Sequence, residues 1–147
     1  MSDLMYPVEI INLPSEGKYY PEGHPLRKTG GQLELKYMTA KEEDILTSTN
    51  LIQNGTVVDR LLENLVVHKG VKPSELTTGD TNAVLIAARV LAYGKDYEVQ
   101  YECEECQAKI NCVVDLSQLE SPDDLIDVDD DGYHYFTTDS GLEMVIK

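Results

Sequence analysis

The chain has 147 residues and a formal net charge of −15. That length allows one domain with a core that needs no disulfides. That charge excludes a nucleic-acid surface, which needs clustered Lys and Arg to displace counterions. Residues 1–17 hold no Lys or Arg and lead into no apolar h-region, so no secretory signal is expected. The longest apolar run, 83–88, is too short to span a bilayer. The expectation is a soluble protein made in a cytoplasm, with no membrane partner.

Residues 8–13 read as a short strand. Three prolines and two glycines between 14 and 25 forbid regular structure and predict an extended arm or large loop. Tyr19 and Tyr20 lie inside it and are expected to pack on the body or on a neighbour, as a partner contact. Gly30-Gly31 marks a turn. Residues 32–37 then alternate Leu33, Leu35 and Tyr37 with polar residues, a half-buried strand.

Three helix patterns fill 37–94. The first opens on Thr39 with Glu42 at capping-box spacing, and Glu43 and Asp44 follow near the positive end of its dipole. The second starts at Thr56. Val57, Val58, Leu61, Leu62, Leu65 and Val66 line one face, and Gly70 is the expected stop. The third runs from about Asp80 to Tyr93 and ends at Gly94. It is apolar nearly all round, which predicts burial on most sides, with the other two helices packed on it. Arg89 lies within it. A buried Arg needs a carboxylate, for which Glu42, Glu43, Asp44 and Asp59 are candidates; the alternative is an Arg snorkelling from the helix edge. Residues 73–76 read as a single turn.

After Gly94 the period becomes two. Tyr97, Val99 and Tyr101 alternate outward, and Ile110, Cys112 and Val114 return, so a β-hairpin is expected with residues 103–106 at its turn. A helical turn is expected near 123–126. Tyr133 and Tyr135 open a second hairpin that turns at residues 139–141, and both tyrosines are expected at a partner surface. After Lys109 the only Lys or Arg is Lys147, with ten acidic residues between them. This acid makes a solvated face or a docking surface for a basic partner.

Cys103, Cys106 and Cys112 are an odd, clustered set, which in a cytoplasmic protein favours metal or free thiols over disulfides. Cys103 and Cys106 on one tight turn have the spacing to grip zinc, and Cys112 is the third candidate ligand. A structural zinc site needs four ligands, and a second Cys pair is missing. Cys112 is in phase with Ile110 and Val114, so it also reads as a small core residue. Redox chemistry ranks last, because Glu102, Glu104 and Glu105 should raise the thiol pKa values. Residues 127–132 fit the first half of an EF-hand loop, but Thr138 stands where a bidentate Glu is required, so an acidic turn is the better reading. There is no phosphate loop, no Ser elbow and no His pair at helical spacing. This reads as a non-enzyme without cofactors, save possible structural zinc.

The order of the motifs is similar to a known family. Ile11-Asn12-Leu13-Pro14-Ser15-Glu16-Gly17 is followed by Tyr20-Pro21, then by Met38-Thr39-Ala40-Lys41-Glu42-Glu43-Asp44-Ile45-Leu46. Next come Leu51-Ile52-Gln53-Asn54-Gly55-Thr56, Leu76-Thr77-Thr78-Gly79-Asp80, an Ala-Ala-Arg-Val helix to Tyr93-Gly94-Lys95-Asp96-Tyr97-Glu98-Val99, the Cys-x-x-Cys hairpin, and Val114-Asp115-Leu116. This set resembles the baseplate hub family of T-even-type contractile-tailed bacteriophages over residues 8–119. The resemblance implies a structural or assembly protein of the tail baseplate, located in the virion and assembled in the host cytoplasm. It implies contacts with other tail and baseplate proteins in a hetero-oligomeric assembly, and supplies no catalytic residues. The alternatives are a tail assembly chaperone absent from the mature particle, and a zinc-stabilised adaptor. The expected fold class is α+β: a three-helix body with an N-terminal extended arm and short strands, followed by β-hairpins. Segments 1–37, 38–94 and 95–147 are expected to form one compact unit.

Overall fold

The first strand, β1 (Val8–Asn12), pairs antiparallel with β2 (Gln32–Lys36), joining Ile11 to Leu33 and Glu9 to Leu35. The structure, a computed structural model, describes residues 7–119 and 128–146; the turn expected near 123–126 lies outside them. Between β1 and β2 the chain folds through tight turns and one short helix, α1 (Pro25–Lys28). Gly17 and Gly31 let these turns close on each other. Both have positive φ, and a Cβ on Gly17 would collide with the Leu26 carbonyl, one on Gly31 with the backbone of Glu16.

The helices follow. They are α2 (Ala40–Thr47), α3 (Thr49–Gln53), α4 (Val57–Leu65) and α5 (Thr78–Tyr93). The Thr39 start holds: the Glu42 carboxylate accepts from the Thr39 N–H and hydroxyl. The first helix pattern breaks in two at Ser48, which is extended. The Thr47 hydroxyl turns back on the Glu43 and Asp44 carbonyls there, a local bond that competes with the helix. α4 stops at Leu65 rather than near Gly70, because Val66 leaves it to bridge Leu35 of β2. Residues 73–75 make the expected turn, a 3₁₀ one, and α5 ends at Gly94 with φ +85.

Glu42 is fully buried and its carboxylate lies 2.8 Å from the Lys36 ammonium, which is itself almost buried. Burial pushes the Glu42 carboxyl up. The Lys36 ammonium and the Thr39 donors outweigh it and bring the group down to about 2. This pair ties β2 to α2.

A second buried carboxylate joins the start of the chain to α5. Asp80 is fully buried. It accepts the Ser15 N–H at 3.1 Å, the Ser15 hydroxyl at 2.7 Å and the Tyr20 hydroxyl at 2.6 Å. The Tyr20 oxygen in turn accepts the Thr77 N–H at 3.2 Å. Asp80 sits three residues past the Thr77 cap, where the helix dipole also favours a negative charge.

Tyr20, expected at a partner surface, is therefore a core residue with 4% of its surface exposed. Five of the eleven buried apolar residues among those described, Leu13, Tyr20, Leu26, Leu33 and Leu35, precede α2. They pack with Leu61, Leu62, Leu65, Val71, Val84 and Ala88, so the helices bury themselves against the β1–β2 pair and its loop. α5 is buried on one side only. Val84 and Ala88 are inside, but Ile86, Val90 and Leu91 are half-buried, because a two-stranded sheet is too narrow to cover the rest of the helix. Arg89 finds none of the expected carboxylates. Its guanidinium lies 4.8 Å from the Tyr93 ring centre and donates to the Gly94 carbonyl at 3.3 Å, which is the snorkelling alternative.

Two outcomes follow. Tyr20→Ala removes a buried ring and one Asp80 donor, and should cost about 3–5 kcal/mol in urea unfolding, while half-buried Tyr19→Ala should change stability far less. Glu42→Gln should cost about 3 kcal/mol by removing the charge that faces the almost buried Lys36 ammonium at 2.8 Å. The Glu42 carboxyl is lowered on folding, so its contribution is complete above its ordinary value of 4.5 and is lost as pH falls toward about 2. Melting curves across that window should show an acid-dependent loss that is smaller in Glu42→Gln.

Candidate interaction surfaces

β3 (Asp96–Glu102) and β4 (Lys109–Asp115) form the first expected hairpin, and pair only with each other among the described residues. Opposite residues share a face. The pairs Tyr97–Val114, Val99–Cys112 and Tyr101–Ile110 make one face apolar. Asp96, Glu98, Gln100 and Glu102 lie on the other, opposite Asp115, Val113, Asn111 and Lys109. The alternation reads as a half-buried hairpin. Among the described residues this face is only partly covered: the Arg89 guanidinium of α5 lies 5.7 Å from the Tyr97 ring centre and Val99 is half-buried, while the rest of the face is exposed. Tyr101 is 54% exposed, and Tyr97, Ile110 and Val114 are also exposed. The base of the hairpin is fixed: Lys95 reaches Asp115 at 2.7 Å and the Leu116 N–H donates to the Lys95 carbonyl. Lys95, then the Ser117 donors, bring the Asp115 carboxyl down to about 2. Beyond the base most of the hairpin's residues are exposed. Two strands alone are marginally stable in water, so this element is built to gain from a cover.

β5 (His134–Thr137) and β6 (Glu143–Ile146) form the second expected hairpin, again with open edges among the described residues. Tyr135 is 66% exposed and Val145 opposite it is exposed too. Tyr133 is half-buried. The loop before β5 touches the segment around Tyr19 and Tyr20. Arg27 bonds the Tyr20 carbonyl at 3.0 Å and lies 3.6 Å from Asp130, and Gly132 approaches the Tyr19 carbonyl. The Tyr19 carbonyl and the loop before β5 are thus neighbours. Asp129 accepts the Asp131 and Tyr133 N–H groups, which is the chemistry of a turn.

A third surface was not legible in the sequence. A groove of about 620 Å³ runs between the outer edge of β1 and α5, lined by Ile10, Ile86, Val90, Leu91, Leu116 and Leu119 among others. The all-round apolar pattern of α5 was the available signal for it. The side of α5 that the narrow sheet leaves open is this groove.

Cys103 and Cys106 come together on the turn of the first hairpin; Cys112 does not join them. Cys112 stands opposite Val99, four residues along the strand from Cys103, about 13 Å at strand spacing. It is exposed on the apolar face of the hairpin and not in the core. Among the described residues no group of three or more His, Cys, Asp and Glu side chains could hold a metal ion. The acidic neighbours do not set the Cys103 thiol as expected. Bonds from the Cys106 and Glu105 N–H groups hold it below its ordinary value.

Among the described residues, two hairpins and a groove thus leave apolar side chains exposed around a small core. The family model described as T4 bacteriophage base plate protein matches residues 5–146, and the chain belongs to this family. The family is that of a T4-type baseplate protein, which bears out the resemblance at that level. Neither a curated protein nor a solved structure matches it. No described helix is long and apolar enough to cross a membrane.

If the β3–β4 face is an uncovered contact surface, it contributes little to the fold of the free chain. The double change Tyr101→Ser with Ile110→Ser should then shift unfolding free energy by no more than about 0.5 kcal/mol, read by thermal denaturation.

Proposed function

We propose that this baseplate protein is a structural subunit of the hub of a contractile tail, and that it acts by protein–protein contacts without catalysis. The observation that carries the reading is the apolar face of β3–β4, with Tyr97, Tyr101, Ile110 and Val114 exposed on the hairpin. Interfaces concentrate their energy in such aromatic and aliphatic anchors. Tyr135, with Tyr19 and Tyr133, offers a second contact. The partners are other tail and baseplate proteins. Glu98, Glu102, Glu104 and Glu105 surround the first hairpin, so the surface that receives it should carry a basic rim. The net charge of −15 argues against a nucleic-acid partner. The reading places the protein in the virion tail after assembly in the host cytoplasm.

Complementation with the Tyr101→Ser, Ile110→Ser double variant tests it. Purified particles made with the unchanged chain should contain it, and the folded variant should be missing from them. Absence of the unchanged chain from finished particles would make it an assembly chaperone instead. Normal incorporation of the variant would remove the hairpin face as the contact.

A further inference from the structure

The hydrogen bonds at the two ends of the β1–β2 ladder show which backbone groups face outward. The Tyr37 N–H donates to the Pro7 carbonyl at 3.3 Å, and the Leu13 N–H donates to the Gly31 carbonyl at 2.9 Å. Both pairs continue the register that joins Glu9 to Leu35 and Ile11 to Leu33. In an antiparallel ladder bonded pairs alternate with unbonded ones, whose N–H and C=O groups point away from the partner strand. The odd residues of β1 therefore face β2, and Val8, Ile10 and Asn12 present their backbone groups outward. Among the described residues nothing bonds them. The far edge of β2 is taken, since the Val67 N–H donates to the Glu34 carbonyl at 3.1 Å. The open edge of this sheet is that of β1.

That edge is one wall of the groove on α5. Glu9 and Ile11 share a face by alternation, and Ile11 packs against the core. A strand laid along β1 would set the side chains of the same face onto Ile86, Val90 and Leu91, which are half-buried. Glu9 is the one charged residue among the described residues that line the groove. It is exposed, and its carboxylate accepts the Tyr37 hydroxyl at 2.9 Å. A carboxylate takes several donors, so a cation can still join it. Residues 1–17 hold no Lys or Arg. Neither residues 1–6 nor β1 of a second copy can bring that cation. We propose that β1 and the groove receive an extended segment of a different polypeptide. The segment adds to the sheet beside β1, places alternate apolar side chains on α5 and meets Glu9 with a Lys or Arg. The net charge of −15 favours a basic segment at longer range. This inference does not rest on the β3–β4 contact.

The test is a titration of the full chain with a labelled synthetic peptide, read by fluorescence anisotropy. The peptide alternates leucine and threonine, with lysine in place of one leucine. A second peptide has glutamate at that position. The lysine peptide should bind about fivefold more tightly than the glutamate peptide. Glu9→Lys should reverse that preference, and Val90→Asp should abolish binding of both. Melting curves alike for the unchanged chain and the two variants separate a lost site from a lost fold. In the complex, amide exchange should slow at Val8, Ile10 and Asn12, and change little at Glu9 and Ile11, which already face β2. No binding of either peptide, equal affinity for both, or saturation without slower exchange at those three amides would overturn the proposal. So would slow exchange at those amides in the free chain. In a monomer the chain's own residues would then cover the edge, and in a dimer a second copy would.

Discussion

A buried carboxylate organises this fold. Asp80 has no cation beside it in the contacts that hold it; it is kept by the Ser15 N–H, the Ser15 hydroxyl and the Tyr20 hydroxyl, at the positive end of α5. A carboxylate left unbonded in such a place would be very unfavourable, so the loop that supplies the donors is held on the helix. That loop cannot leave without stripping Asp80. Its anchorage sets Leu13, Tyr20 and Leu26 into the core and fixes where β1 and β2 lie. The Tyr20 hydroxyl shows the cost from the other side: burial first, and then the Asp80 carboxylate, push it well above the usual tyrosine range. Lys36 and Glu42 repeat the device between β2 and α2. Two polar clasps thus specify how a small apolar core closes.

The same economy leaves surface unfinished. The core spans from Leu13 to Ala88, and the hairpins that follow stand outside it. A sheet of two strands on a sixteen-residue helix leaves a groove, and two free hairpins leave apolar faces and strand edges. In a monomer these are liabilities, since exposed edges invite pairing. A baseplate protein, by its family, works among other tail proteins.

Local signals were legible and long-range pairings were not. The Thr39–Glu42 box, the Thr56 start, the Gly94 stop and both hairpin turns are short-range chemistry, and each appears where its residues stand. The Ser15–Asp80 bond joins positions 65 apart, and no periodicity marks such a pair. Tyr20 looked like a partner contact because its neighbours are prolines and glycines; its hydroxyl's partner lies 60 residues on. The apolar pattern of α5 was read as burial, when part of it lines an open groove. Alternation in 97–101 and 110–114 gave the faces of the first hairpin correctly but could not say whether anything covers them. For Cys103 and Cys106 the spacing gave the turn, and only the strand register shows that Cys112 stands apart from them.

If a self-sufficient core carries hairpins that other chains complete, the two parts must differ in amide protection. Amide hydrogen exchange, compared between the free protein and the purified assembly that contains it, tests this most directly. Exchange in α5 and β2 should be slow in both states. Residues 97–114 and 134–146 should exchange fast in the free chain and become protected in the assembly. Hairpin amides as slow as those of α5 in the free chain, or unchanged on assembly, would contradict it.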